Sequence, residues 1–132
     1  MKIISITGTK GKTSVARIID YVLRNSNKTT LRVDNDGHYI NGKRKSTLDD
    51  SINFFGKTPS VCPGKYLITM KRYFPDFTAI LECSIGSAGE GLGYRFHDVG
   101  IFTNVYFDHI KKEKGIKTRR DLANRKSFIF EK

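Results

Sequence analysis

Cysteine and long apolar segments are scarce in this sequence, and each shortage excludes a class of protein. The two cysteines, Cys62 and Cys83, are too few for a disulfide framework and lack the paired spacing of metal ligands. No apolar run approaches the roughly 20 residues that a membrane-spanning helix requires. Met1-Lys2 leads directly into a short strand-like run and a glycine-containing loop, which is not the pattern of a signal peptide. We therefore expect a reduced protein of the cytoplasm without a membrane segment.

Acidic residues are also in short supply, with 13 against 24 lysines and arginines and a formal net charge of +11. Such an excess favours an anionic partner, and ATP, an acidic peptide and nucleic acid all fit it. The basic side chains are dispersed except in residues 111–126, and that cluster is equally typical of a solvated, lysine-rich face. No recognised nucleic-acid-binding module accompanies the charge, so we do not expect a nucleic-acid partner.

The order of the apolar segments predicts an α/β fold in one domain of 132 residues. Runs typical of strands alternate with segments whose apolar residues recur at helical spacing. The predicted strands are Ile3–Ile6, Leu31–Val33, Phe77–Leu81 and Val99–Phe102, and the predicted helices cover Val15–Leu23, part of residues 46–62, Leu67–Phe74 and Thr118–Glu131. Asp36-Gly37 and Asn41-Gly42 indicate either a small hairpin or a pair of tight turns. This alternation predicts a three-layer α/β/α domain whose mainly parallel sheet is covered on both faces.

A glycine-containing loop, Gly8-Thr9-Lys10-Gly11-Lys12-Thr13-Ser14, separates the first strand from the first helix. Gly8 and Gly11 allow the backbone to approach a polyphosphate and to point its N–H groups inward. The helix that begins near Thr13 presents its positive end to the phosphates. Lys12 places a charge on the β- and γ-phosphates, and the Thr13 hydroxyl is suited to hold Mg²⁺. The loop therefore predicts a nucleotide site.

One glycine of the full phosphate-loop pattern is absent. The pattern G-x-x-x-x-G-K-[ST] requires glycine at position 6, where this sequence has Ile6. The surroundings still meet the requirements of the mechanism, because a strand precedes the loop and an amphipathic helix follows it. The alternative is a glycine-rich turn that carries a lysine by chance.

Polar residues follow the third and fourth predicted strands, at the edge where ligands of open α/β sheets gather. Glu82 ends the third strand, and Asp108-His109 follow the fourth through Thr103-Asn104. A carboxylate at this edge suits the metal ion that phosphoryl chemistry needs. The alternatives are a charge that merely marks the strand end for Glu82, and a surface or packing role for His109.

Lys126 lies on the apolar side of the last predicted helix, four residues after Leu122 and three before Ile129. Burial disfavours the ammonium form of a lysine and lowers its pKa. A neutral amine reacts with CO₂ to give a carbamate, an anion that can bind metal. The alternative is a snorkelling lysine whose stem packs while its head group reaches water.

Together these residues resemble the central domain of the Mur ligase superfamily. The superfamily loop reads TG-T-x-GK-[ST]-[ST], and residues 7–14 read TGTKGKTS. Members share the missing first glycine, so Ile6 supports the resemblance. A second signature, T-N-x-x-x-D-H after a strand, is matched by residues 103–109. The stretch from Glu90 to Ile101 is most similar to the ligase domain of cyanophycin synthetases. Poly-γ-glutamate synthetases are the next most similar, because they carry a basic residue at the position of Lys10.

The resemblance implies ATP-dependent amide formation. The substrate carboxylate would attack the γ-phosphate to give an acyl phosphate and ADP, and an amine would then displace the phosphate. The nucleotide-binding residues that the resemblance implies are Gly8, Thr9, Lys10, Gly11, Lys12, Thr13, Ser14 and Asn104. The implied catalytic residues are Lys12, Glu82, His109 and Lys126. Two Mg²⁺ ions are implied, one on Thr13 and Glu82 and the other on Glu82, His109 and a carbamylated Lys126.

Members of the superfamily also carry domains before and after the matched region. We therefore expect the chain to be a fragment, a split subunit or the product of a decayed gene, acting with a complementary domain or subunit. The competing interpretations are a nucleotide-binding module without catalysis and an unrelated phosphate-loop kinase or NTPase. The trio Glu82, His109 and Lys126 separates them, because a simple nucleotide binder needs neither that histidine nor that lysine. The basic charge suits an acidic amino-acid polymer as substrate.

Overall fold

A mixed β-sheet forms the centre of the computed structural model, which describes residues 1–45, 59–85, 91–107 and 115–131. The strands within these residues are β1 (Lys2–Thr7), β2 (Thr30–Asp34), β3 (Gly37–Ile40), β4 (Lys43–Arg44), β5 (Thr78–Glu82) and β6 (Val99–Phe102). Their order across the sheet is β4-β3-β2-β5-β1-β6. β2, β5, β1 and β6 run parallel, and β3 and β4 add an antiparallel hairpin at one edge. All the predicted strands and the predicted hairpin are therefore confirmed.

Helices cover both faces of the sheet. They are α1 (Lys12–Asn25), α2 (Lys65–Tyr73) and α3 (Arg119–Lys126), and short 3₁₀ helices span Pro59–Val61 and Ser127–Glu131. Because successive strand residues point to opposite faces, the sheet buries two separate apolar clusters. The larger cluster lies under α2 and contains Ile3, Leu31, Val33, Tyr66, Leu67, Met70, Phe77, Ala79 and Leu81. The smaller lies under α1 and contains Ile6, Ala16 and Ile80. The predicted three-layer α/β/α class is confirmed.

Three predicted boundaries need correction. The third predicted strand begins one residue later than predicted, at Thr78, and ends at Glu82 as the sequence indicated. Helix α2 stops before Phe74, which is extended because it precedes Pro75. The last predicted helix is α-helical only to Lys126, and the tighter 3₁₀ helix continues to Glu131. Most of the helix predicted within residues 46–62 falls outside the described residues.

A buried ionic cluster fixes α1 against β2. The guanidinium of Arg32 contacts the carboxylate of Asp34 and lies 3.6 Å from that of Asp20 in α1 and 3.8 Å from the centre of the Tyr39 ring. Asp20 also accepts a hydrogen bond of 2.6 Å from the Thr30 hydroxyl. Because buried charges are tolerated only when they are paired, this cluster permits little freedom in the placement of α1.

The opposite face of the sheet buries a small polar group beside the larger apolar cluster. The Tyr94 hydroxyl contacts the Ser5 hydroxyl and lies 3.4 Å from the Cys83 sulfur. Burial raises the pKa of the Cys83 thiol to about 11, and burial also raises the pKa of Tyr94. Cys83 is therefore an uncharged, weakly nucleophilic thiol at neutral pH, whereas Cys62 is only half-buried.

We predict that iodoacetamide at pH 8 alkylates Cys62 of the native protein much faster than Cys83, because Cys83 is both inaccessible and protonated. Peptide mass spectrometry after timed quenching would measure the two rates. A Cys62→Ala variant should consequently take up almost no label until it is unfolded. Comparable labelling of Cys83 and Cys62 in the folded protein would contradict this account of the cluster.

The same thiol should make stability depend on pH. Folding raises the pKa of Cys83 from 9.0 to about 11, so the folded state binds this proton more tightly than the unfolded state. The free energy of unfolding should therefore fall as the pH rises from about 9 to about 11. Urea unfolding at several pH values would measure the slope, which should be smaller in Cys83→Ala.

Candidate functional site

Residues 8–11 connect the carboxyl end of β1 to the first turn of α1. Gly8 and Gly11 have φ angles of 134° and 82°, in a region that favours glycine. A Cβ atom on Gly8 would lie 2.0 Å from the Thr103 hydroxyl, so this position has no space for a side chain. Gly11 caps α1 and has no side chain to bind the first-turn N–H groups, which therefore remain for an external acceptor.

Glu82 lies directly behind this loop and is fully buried. One carboxylate oxygen accepts a hydrogen bond of 2.7 Å from the Thr13 hydroxyl, and the other lies 3.7 Å from Lys12 Nζ. Lys12 also donates to the Thr9 carbonyl at 3.2 Å. The parallel pairing of Ile6 with Glu82 brings these groups together, since it aligns the ends of β1 and β5. The geometry therefore unites three side chains that the sequence predicted to act together.

The second oxygen of Glu82 accepts no hydrogen bond from the residues that the structure describes. A buried carboxylate that lacks a hydrogen bond on one oxygen is stabilised by nearby positive charge. The Thr13 hydroxyl beside Glu82 adds a second oxygen ligand for a cation. Oxygen donors of this kind are those that Mg²⁺ prefers. Within the described ranges, no three His, Cys, Asp or Glu side chains come together as a metal-binding group. Thr13 and Glu82 nevertheless fit one hard divalent cation.

A short segment after β6, residues 103–106, is hydrogen-bonded along the loop, and we call it the bracket. The side chain of Asn104 accepts from Lys10 N at 2.9 Å and donates to Lys10 O at 3.0 Å. The Thr103 hydroxyl donates to the same carbonyl at 2.8 Å. Thr9 N donates to Asn104 O at 2.9 Å, and Tyr106 N donates to the Thr9 hydroxyl at 3.1 Å. The sequence analysis singled out Asn104 but missed the roles of Thr103 and Tyr106.

Lys126 is 2% exposed, so its head group does not reach solvent as a snorkelling lysine would. Burial raises the pKa of the Cys83 thiol, and the charge of Lys126 opposes that rise. Helix α3, which carries Lys126, begins with a capping box. The Thr118 hydroxyl accepts from Asp121 N while the Asp121 carboxylate accepts from Thr118 N.

The structure describes some of the other predicted site residues and not others. Lys10 and Ser14 are exposed at the loop, and Lys10 Nζ lies 5.9 Å from the centre of the Tyr106 ring. Asp108 and His109 lie outside the described residues. The structure thus brings together the loop, Glu82 and Asn104, buries Lys126, and leaves the roles of Lys126 and His109 as predictions.

No helix within the described part of the chain is long and apolar enough to cross a membrane. This agrees with the absence of any sufficiently long apolar run in the sequence.

Several known proteins are similar to this chain over almost its whole length. UDP-N-acetylmuramoyl-L-alanyl-D-glutamate–2,6-diaminopimelate ligase of Listeria monocytogenes is 27% identical over 137 residues, which cover 98% of this chain and 25% of the ligase. Cyanophycin synthetase of Geminocystis herdmanii is 30% identical over 130 residues, which cover 98% of this chain and 14% of the synthetase. The chain thus spans a quarter or less of the length of these relatives.

A solved structure of a UDP-N-acetylmuramoyl-L-alanyl-D-glutamate–2,6-diaminopimelate ligase has the same fold. It matches 98% of this chain and 24% of its own chain with a TM-score of 0.71 at 22% identity. The profile of the Mur ligase middle domain matches residues 6–132, which include the end of β1 and all the other strands described above. The chain therefore belongs to the Mur ligase middle domain family.

Proposed function

We propose that this chain is the ATP-binding part of a ligase that joins a carboxylate to an amine. The observation that carries the proposal is the 2.7 Å hydrogen bond between the Thr13 hydroxyl and buried Glu82, directly behind a phosphate-type loop. A buried carboxylate with an oxygen that accepts no hydrogen bond among the described residues is stabilised by positive charge. Lys12, 3.7 Å away, supplies part of it, and Mg²⁺ would supply the rest.

The loop would hold the triphosphate of ATP. The N–H groups in the first turn of α1 point toward an anion at this end of the helix, and Lys12 adds a full charge beside them. Gly8 and Gly11 keep the backbone free of side chains that would obstruct the phosphates. The remaining proposed nucleotide-binding residues are Thr9, Lys10, Thr13, Ser14 and Asn104.

Two Mg²⁺ ions are part of the proposal. Thr13 and Glu82 would hold one, and Glu82, His109 and a carbamylated Lys126 would hold the other. When bound, such ions neutralise the charge that develops on a transferred phosphoryl group. The burial of Lys126 supports its part in this assignment, whereas that of His109 rests on the sequence signature.

The proposed reaction has two steps. A substrate carboxylate attacks the γ-phosphorus of ATP, and the bond to ADP breaks as the acyl phosphate forms. An amine then attacks the acyl carbon, loses a proton and expels phosphate to leave an amide. Lys12 would contribute by holding the γ-phosphate in line with the attacking oxygen.

The net charge and the similar ligases support proposals for the substrate, for a complementary domain or subunit, and for the cellular compartment. The net charge of +11 suits an acidic amino-acid polymer as the carboxylate substrate. The much greater length of the similar ligases supports a complementary domain or subunit that completes the reaction. We place this activity in the cytoplasm, where ATP is available.

A nucleotide-binding module without ligase activity is the second candidate, favoured by the loop geometry of Lys12 and Thr13, which is all that a nucleotide binder needs. Release of phosphate when candidate acids and amines are added to this chain with ATP and Mg²⁺ would favour the ligase. Tight ATP binding without phosphate release would favour the module.

We predict that Lys12→Ala abolishes detectable ATP binding, because it removes the lysine ammonium that lies 3.7 Å from Glu82 behind the loop. Isothermal titration calorimetry would measure the affinity. Lys28→Ala, which changes an exposed lysine beyond the far end of α1, is the matched control and should bind as the wild type does. Equal affinity of Lys12→Ala and the wild type would refute the nucleotide site.

Glu82→Gln should bind ATP in the absence of Mg²⁺ at least as well as the wild type, since it removes a buried negative charge near the phosphates. The increase in affinity that Mg²⁺ gives the wild type should disappear, because an amide is a poor ligand for this cation. Titrations of ATP with and without Mg²⁺ would show both effects. Asp76→Asn, at an exposed carboxylate, should leave the Mg²⁺ effect intact.

Lys126 should take up CO₂ in the presence of Mg²⁺ and ATP. Protein equilibrated with ¹³C-bicarbonate should show a carbamate carbonyl resonance that Lys126→Met abolishes and that Lys117→Met, at an exposed lysine, retains. Methionine preserves the length and the buried stem of the lysine, so the fold should survive the change. A wild-type spectrum without the resonance would reject carbamylation.

A further inference from the structure

The bracket, residues 103–106, bonds to Thr9 and Lys10 of the phosphate loop and leaves the amides at the start of α1 without a side-chain cap. Its contacts go to Thr9 and Lys10, whose N–H groups both point toward Asn104. The amides left for an anion are those at the start of α1, from Gly11 onward. The bracket thus divides the loop into a part held by protein and a part open to a ligand.

We propose that Thr103 and Asn104 are positioning residues that hold the phosphate loop in the shape that receives a polyphosphate. Both polar atoms of the Asn104 side chain are used by the backbone of Lys10, at 2.9 and 3.0 Å. Asn104, proposed above as a nucleotide-binding residue, would therefore act on the nucleotide through the loop, because both polar atoms of its side chain are already hydrogen-bonded. This inference rests on the proposed function, since it names how the same site is kept in order.

The loop needs such support because of its glycines. Gly8 and Gly11 have φ angles of 134° and 82°, and a chain with two glycines so close together has many alternative conformations. Restricting those conformations before the ligand arrives reduces the entropy that binding must overcome. The Thr103 hydroxyl occupies the space that a Gly8 side chain would fill. The bracket can therefore lie this close to the loop only because residue 8 is a glycine.

The bracket is in turn held from its other side by α3. Arg119, in the first turn of that helix, donates to the Val105 carbonyl at 3.1 Å, and its guanidinium lies 5.0 Å from the centre of the Phe107 ring. The segment after β6 is therefore fixed at both ends of its path across the loop. A segment anchored in this way can act as a template for the loop, because it does not need the loop to order it.

The proposal is tested on the complete chain with four variants, Asn104→Ala, Thr103→Ala, Thr103→Ser and Asn25→Ala. Asn25 is a matched control, because its side chain also donates to a backbone carbonyl, at 3.0 Å, but on the exposed side of α1. A fluorescent ATP analogue measures affinity and thermal unfolding measures stability. We expect Asn104→Ala to bind about tenfold more weakly, Thr103→Ala to bind several-fold more weakly, and both to unfold close to the wild-type temperature.

Thr103→Ser should restore affinity because it keeps the hydroxyl that donates to Lys10. Asn25→Ala should bind as the wild type does. A loss of affinity that Thr103→Ser does not recover, or that simply follows the unfolding temperature across all variants, would overturn the positioning role. So would wild-type affinity in Asn104→Ala.

A second measurement needs no nucleotide and keeps the two proposals separable. In the ligand-free wild type, the amides of Thr9 and Lys10 should exchange slowly with deuterium, and in Asn104→Ala the Lys10 amide should exchange at least about tenfold faster. Rapid exchange of both amides in the wild type would overturn the bracket even if ATP binds. Slow exchange in the wild type without any ATP binding would instead refute the proposed function and leave the bracket as a loop support.

Discussion

The hydrogen bond between the Thr13 hydroxyl and the buried Glu82 carboxylate is the constraint on which the rest of the structure depends. It can form only if β1 and β5 pair in register, since that pairing sets Glu82 beside Ile6 at the end of the sheet. It also requires α1 to start at one position, which the ionic cluster of Asp20 and Arg32 helps to fix. These requirements are strict because the Glu82 carboxylate has no access to solvent. A shift of β1, β5 or α1 would leave it buried and unpaired.

Much of this arrangement could be predicted from local sequence. Apolar runs identified the strands, and the glycines with Lys12 and Thr13 identified the loop, because the chemistry of a phosphate site is concentrated in a few adjacent residues. Glu82 was identified by its place at a strand end. Lys126 was identified by helical spacing, which correctly indicated a buried position but could not exclude a head group that reaches water.

The features that escaped prediction depend on residues far apart in the chain. The bracket joins residues separated by 94 and 97 positions, and no local pattern states that Thr103 will meet Lys10 or that Tyr106 will meet Thr9. The cluster around Arg32 escaped for a related reason, since hydrophobic periodicity says nothing about which buried charges will pair. The shift of one residue in β5 reflects the usual uncertainty where a strand meets its preceding turn.

The position of β1 between β5 and β6 has a consequence for how the molecule is made. These two neighbours occur more than 70 residues later in the chain, so β1 and the loop after it have no complete surroundings until β6 has been synthesised. Such non-local parallel pairing folds slowly, because long segments must be closed before any contact is gained. The loop is thus translated before its neighbours in the sheet and is completed only after them. Any anion that recognises its final shape selects molecules that have completed folding.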